Sequence, residues 1–236
     1  MSICPSRPRV IERCQTPRGE LQLQRRGDHY EIISNGAFLM ATYNAASARH
    51  LVTAALAAAL QPRRVLIAGL GVGISLGAAL ADPRVARAYV VEIEERVIAW
   101  NRRELALFSG HALDDPRTSV VHADILDWLP QGSDEFDVIC LDVDNGPDWT
   151  VTEDNRALYT CPGLRTVRRR LAPGGALAVW SATASPAFAA RLSRLFGDVR
   201  VLSVPQDRGG PDYIYLTTLP SASDPSHQRK ARERTA

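Results

Sequence analysis

From Arg63 to Phe196 the chain repeats one pattern, a short apolar run and then a stretch with helical spacing. RRVLIAG is followed by ISLGAALAD, and RAYVVEI by EERVIAWNRRELAL. TSVVHAD, FDVICLD and GALAVWSA are further apolar runs, with helices expected at about 125–130, 161–171 and 186–196. Strands this apolar belong to a parallel sheet, and the helices between them cover both of its faces. The pattern breaks at the end. DVRVLSVP and DYIYLTTL are separated by QDRGGP with no helix between, so they read as a hairpin that closes the sheet antiparallel. The fold class is α/β.

Ahead of the alternation lie ELQLQRR, HYEIIS and AFLMAT, separated by Gly27-Asp28 and Asn35-Gly36. Asn-Gly between β-like runs is a hairpin signal, because both turn positions need positive φ. A small antiparallel sheet is expected at about 20–42, then a helix capped by Asn44 that runs through AASARHLVTAALAAAL and stops at Pro62. The Pro- and Arg-rich residues 1–18 are expected to be a flexible N-terminus, and the polar tail 221–236 to be disordered. Residues 19–43 then form the hairpin subdomain and 44–220 the main domain.

Several classes are excluded. A net charge of +2 does not argue for nucleic acid. Cys4, Cys14, Cys140 and Cys161 are scattered, which is neither a disulfide framework nor a zinc pattern. The N-terminus lacks the apolar segment of a signal peptide, and the apolar stretch Leu51–Leu60 is too short to span a bilayer. A cytoplasmic protein with no membrane, nucleic-acid or metal partner is expected.

Three strand ends carry the chemistry. AGLGVG, Ala68 to Gly73, follows the first parallel strand and opens a helix, so Gly69, Gly71 and Gly73 let backbone approach a ligand. The spacing is G-x-G-x-G, not the G-x-G-x-x-G of a dinucleotide site. Glu92 ends the second strand about 20 residues on, where a carboxylate can accept both ribose hydroxyls or simply be a solvated strand end. Asp124 ends the third strand. It can accept an adenine amino group, cap the helix from Ile125, or do both. Ile93 and Ile125 accompany these two on the nucleoside side. No phosphate-cradling loop accompanies them, so an adenosine without phosphates fits best, as in S-adenosylmethionine or a relative.

VLIAGLGVG, ADPRVARAYVVEIEERVI, DPRTSVVHADILDWL, EFDVICLDVDNGP, ALYT and RRLAPGGALAVW, in that order, resemble the spermidine synthases, or polyamine aminopropyltransferases. The resemblance runs from about Glu20 to Leu219. It implies the seven-stranded class I methyltransferase (Rossmann-like) fold with a small N-terminal β-sheet. It also implies an S-adenosyl sulfonium cofactor, with Glu92 on the ribose, Asp124 on the adenine and Asp142 at the reacting end, and a homodimer. Three segments depart from the family pattern. GGGDGG is AGLGVGI here, with Val72 in place of the aspartate that helps hold the amine of decarboxylated S-adenosylmethionine. D-S-S-D-P-x-G-P is DVDNGP, two residues shorter, so that Asp144 or Asn145 stands only approximately for the second aspartate. The acidic Y-H-E segment appears as YNAASARH, without a carboxylate.

Transfer from a sulfonium is an in-line displacement, and it needs a neutral nucleophile aligned with the carbon. Asp142 can serve as base for an amine, anchor the donor's amino group, or only cap its loop; Asp144 is the second catalytic candidate. Trp149 and Tyr159 can wall an acceptor pocket or pack in the core, Tyr43 and His50 lie where the N-terminal lid should meet that pocket, and Asn145, in the loop after Asp142, is a further substrate candidate. Val72 lowers the demand for a cationic donor amine. The expected activity is therefore alkyl transfer, most simply of a methyl group, from S-adenosylmethionine to a small amine. The alternatives are aminopropyl transfer from decarboxylated S-adenosylmethionine to a polyamine, an intramolecular reaction of the donor, and a non-catalytic nucleoside-binding module.

Overall fold

Asn35 and Gly36 take positive φ of 49° and 77°, and the hairpin predicted at Asn-Gly turns there. The Asn35 side chain fixes the turn further. Its Oδ1 accepts from the Glu20 N–H at 2.8 Å and its Nδ2 donates to the Arg18 carbonyl at 3.1 Å. The computed structural model describes residues 7–143, 145–150, 153–206 and 209–221. Asp144 and the tail from residue 222 lie outside the described residues.

A four-stranded antiparallel sheet comes first, in the order β1 (Arg9–Thr16), β2 (Gly19–Arg26), β3 (His29–Ser34) and β4 (Ala37–Ala41). β1 corrects the expectation of a loose N-terminus, since residues 9–16 pair along β2. RVIERCQT carries little apolar alternation to announce a strand. Its anchor is polar instead: Glu12 Oε2 accepts from the buried Trp100 indole N–H at 2.9 Å, and Glu12 also pairs with Arg96.

Helix α1 (Ala45–Ala58) then leads into the alternating region. This comprises β5 (Arg64–Ala68), α2 (Ile74–Leu80), β6 (Arg87–Glu92), α3 (Glu95–Asn101), β7 (Thr118–His122), α4 (Ile125–Gln131), β8 (Phe136–Leu141), α5 (Cys161–Arg169), β9 (Leu171–Ser181), α6 (Pro186–Phe196), β10 (Val199–Val204) and β11 (Asp212–Thr218). The seven strands lie in the order β10-β11-β9-β8-β5-β6-β7. β9, β8, β5, β6 and β7 run parallel, and β11 pairs antiparallel with both β9 and β10, as QDRGGP implied.

One helix is shorter than its periodicity suggested. α3 ends at Asn101 rather than at Leu107. There the Leu105 N–H bonds back to the Trp100 carbonyl, a turn that drives Leu105 fully into the core. Asn101 caps the change by donating to the Gly71 carbonyl at 2.8 Å.

Two apolar cores flank the large sheet. One lies on the α4, α5 and α6 side. The other lies on the α1, α2 and α3 side and also takes in Leu21, Leu23 and Ile32 of the small sheet. The two sheets thus share a core. Glu12→Ala should destabilise the protein by about 1–3 kcal/mol in urea denaturation, because it leaves a buried indole N–H without its acceptor. A change under about 0.5 kcal/mol would mean that β1 does not hold the small sheet in place.

Candidate active site

Strand order acts as a ruler across one end of the large sheet. Asp124 follows β7, Glu92 ends β6, the glycine loop follows β5, Asp142 follows β8 and Trp180 lies near the end of β9. At strand spacings near 4.8 Å, this row spans about 19 Å. Between it and the underside of the small sheet lies a cavity of about 570 Å³, a size usual for a small-molecule site.

Glu92 is buried, and burial pushes its carboxyl above the ordinary carboxylate range. Oε2 accepts from the Leu70 N–H at 2.9 Å and Oε1 from the Glu94 N–H at 2.8 Å. The Ile93 N–H also favours the carboxylate, and of its roughly four acceptor sites these amides leave room for a ligand hydroxyl. Asp124 caps α4, with Oδ1 accepting from the Leu126 N–H at 2.8 Å, and it also lines the cavity. Ile93 and Ile125 line it alongside.

Gly69 and Gly71 line the cavity with positive φ of 91° and 52°. A Cβ on Gly69 would fall 2.1 Å from the Asp142 carbonyl oxygen, and one on Gly71 would fall 2.4 Å from Met40 Sδ. Backbone therefore requires glycine at Gly69, while at Gly71 the positive φ favours glycine and a side chain would have to displace the end of Met40. Gly73 stands apart from the cavity. It turns the loop into α2 and packs against Asn101 and Ser109. The side chain of Val72 is fully buried in the core on the α1 side.

Asp142 lies between the glycine loop and Trp180 in the row and is half-buried. Its Oδ2 accepts from the Ser75 hydroxyl at 3.3 Å. Burial, with the charge of Asp212 adding to it, pushes the Asp142 carboxyl up to about 6. Asp212, at the start of β11, is itself raised by burial. It is held by the side chains of Ser47 and Trp180 and by Gln206 Nε2 at 2.6 Å. Asn145 lines the cavity beyond Asp142.

Four residues expected near an acceptor lie elsewhere. Tyr159 is 1% exposed and packs edge-on against Phe188, so it belongs to the core of the opposite face. Trp149 is 62% exposed and lies outside the cavity wall. His50 is on an exposed face of α1, and Tyr43 donates its hydroxyl to Glu31 at 2.9 Å, away from the cavity. The aromatic wall is Trp180, and Met40, Asp154, Asn155 and Arg18 also line the site. Trp180 was legible in principle, as the aromatic near the end of the strand beside Asp142. Arg18 and Met40 arrive from the small sheet and had no local signal.

The described wall is acidic. Glu92, Glu94, Asp124, Asp142 and Asp154 face one basic residue, Arg18, whose Nε is paired with Glu94 at 2.6 Å. Among the described residues no group of three His, Cys, Asp or Glu is placed to hold a metal, and no helix is long and apolar enough to cross a membrane.

The strand order and closing hairpin define a class I methyltransferase-like fold, shared with the solved spermidine synthase from Thermotoga maritima. That structure superposes with a TM-score of 0.74 at 22% identity, covering 89% of this chain and 72% of that one. The spermine/spermidine synthase domain model matches residues 45–189, and the chain belongs to that family. It is 31% identical over 189 residues to polyamine aminopropyltransferase 2 of Ralstonia nicotianae, covering 77% of this chain and 35% of the relative. With polyamine aminopropyltransferase 1 of Hyperthermus butylicus it shares 30% identity over 171 residues, 69% of this chain and 56% of that one. The chain thus spans about a third to a little over half of the length of these curated relatives.

Replacing Glu92 with Gln should weaken binding of methylthioadenosine about 10- to 100-fold by calorimetry. It removes the charge from hydrogen bonds worth roughly 1.5–3 kcal/mol each. Unchanged affinity would separate Glu92 from the nucleoside.

Proposed function

We propose that the protein is an aminopropyltransferase, which binds decarboxylated S-adenosylmethionine and passes its aminopropyl group to an amine nitrogen of a polyamine. The acidic cavity wall carries this reading. The decarboxylated donor brings a sulfonium and an ammonium, the acceptor brings further amines, and each positive charge finds carboxylates nearby. The names of the relatives point the same way.

The expectation of methyl transfer gives way here. It rested on the missing carboxylate at Val72, but that side chain is buried in the core and contributes nothing to the cavity wall. S-adenosylmethionine itself would bring a carboxylate among Glu92, Glu94 and Asp142, where Arg18 is the one basic residue among the described residues of the wall.

In the proposed reaction a neutral acceptor nitrogen attacks the propyl carbon bonded to sulfur. The C–S bond breaks with its electrons passing to sulfur, and neutral methylthioadenosine leaves. The nitrogen becomes a positively charged ammonium as the C–N bond forms, and it passes a proton to the Asp142 carboxylate. A carboxyl titrating near 6 is largely ionised at pH 7, yet more basic than an ordinary aspartate. The Ser75 hydroxyl fixes its orientation.

Purified protein given decarboxylated S-adenosylmethionine and a diamine should release methylthioadenosine and an aminopropylated product, read by mass spectrometry. Methylated amine formed from S-adenosylmethionine, with no aminopropyl product from the other donor, would reverse the assignment. Asp142→Asn should cost about 10²- to 10⁴-fold in kcat/KM, the usual weight of general base catalysis. In the wild type, kcat/KM should climb through pH 6 as Asp142 ionises. Asp212→Asn should move that midpoint to lower pH, since removing a neighbouring negative charge eases ionisation of Asp142. A midpoint that stays in place would remove Asp212 from the mechanism.

A further inference from the structure

We propose that Met40 sets which donor the cavity accepts, by occupying the place beside the glycine loop that a carboxylate-bearing donor arm would take. The assignment rests on the donor reading above and adds the residue that enforces it.

Backbone geometry puts Met40 there. In β4 the pairing with β3 slips: Ile32 faces Met40 but Ile33 faces Phe38, so Leu39 is an extra residue, a bulge. Successive residues of a regular strand point to opposite faces. The bulge breaks that alternation, and both Leu39 and Met40 line the cavity.

Met40 then meets the loop directly. Its Sδ accepts from the Val72 N–H at 3.3 Å and covers Gly71 so closely that a Cβ there would sit 2.4 Å from the sulfur. The rest of the side chain is half-buried and packs against the core on the α1 side. The loop lies on the ruler between β6 and β8, and so between the ribose carboxylate Glu92 and the reacting-end carboxylate Asp142. The arm beyond the donor's sulfur must pass this point.

A thioether is a weak acceptor with an apolar, polarisable surface. It suits the methylenes of a propylammonium arm, whose charge is met by the surrounding carboxylates. A carboxylate arm would gain only by bonding to the covered amide, and to do so it must push Met40 off the loop and out of its core contacts. It would also remain beside Glu92 and Asp142.

Calorimetry on the intact protein with three ligands tests this: S-adenosylmethionine, its decarboxylated form, and methylthioadenosine, which lacks the arm. The wild type should bind the decarboxylated form at least about tenfold more tightly than S-adenosylmethionine. Met40→Ala should narrow that ratio to within about threefold, chiefly through gained affinity for S-adenosylmethionine. Binding of methylthioadenosine should change by less than about threefold, which also reports that the variant is folded. Met40→Leu keeps most of the volume and loses the sulfur. A narrowed ratio there as well assigns the selection to the covered amide, and a ratio narrowed in Met40→Ala alone assigns it to volume; both support the proposal. If the wild type discriminates and both variants discriminate equally, the Met40 assignment falls while the proposed function stands. Equal loss of all three ligands in the variants would make Met40 ordinary cavity wall and overturn the assignment. If the wild type binds S-adenosylmethionine as tightly as the decarboxylated form, the donor reading and the Met40 assignment fall together.

Discussion

The site is organised around one buried carboxylate. Glu92 accepts the amide of Leu70 from the loop after β5 and the amide of Glu94 from the loop after β6. Two loops with no secondary structure of their own are thereby tied to each other at the sheet edge. Burying an acid is unfavourable unless its lone pairs are filled, and those amides fill part of the demand. The carboxylate keeps acceptor capacity beyond these amides. A ligand hydroxyl would fill it, which is why a residue so costly to bury can be a binding residue.

Much of this architecture was legible in the sequence. The alternation of apolar runs and helical patterns fixes a parallel sheet, and in such a sheet the residue after each strand falls on one edge. Glu92, Asp124 and Asp142 follow from that rule alone, and the Asn35-Gly36 turn from dihedral chemistry. What escaped was of two kinds. β1 is held by Glu12 and its partners on α3, contacts about 85 residues apart in sequence that no local pattern encodes. The acceptor-side wall was sought downstream of Asp142, in Trp149 and Tyr159, whereas the fold supplies Trp180 from the neighbouring strand, backed by Asp212 from the last one. Adjacency in a sheet is not adjacency in sequence, and the order β11-β9-β8 is what brings these residues together.

Val72 illustrates a different limit. As a letter in a motif it is a lost charge, and a donor with its own carboxylate seems to follow. As a side chain it points into the core, and the surface it would have served is covered by Met40. Charge at a site is a property of the whole wall, and this wall draws its carboxylates from four separate elements or their flanking loops.

The shared core has a consequence for how molecules enter. Leu21, Leu23 and Ile32 are sealed against the same apolar cluster as α1 and α2. Lifting the small sheet as a rigid flap would wet all three, at roughly 1.5–3 kcal/mol for each side chain fully exposed. The hairpin tip is different: Phe38 and Leu39 are already 47% and 43% exposed, on the strand whose bulge aims Leu39 inward. Any opening of this edge is therefore cheaper at these two residues, which can flex on the timescale of loops, than by lifting the whole roof. A roof that does not swing keeps bulk water from the carboxylates beneath it, and so preserves the burial that raises Asp142.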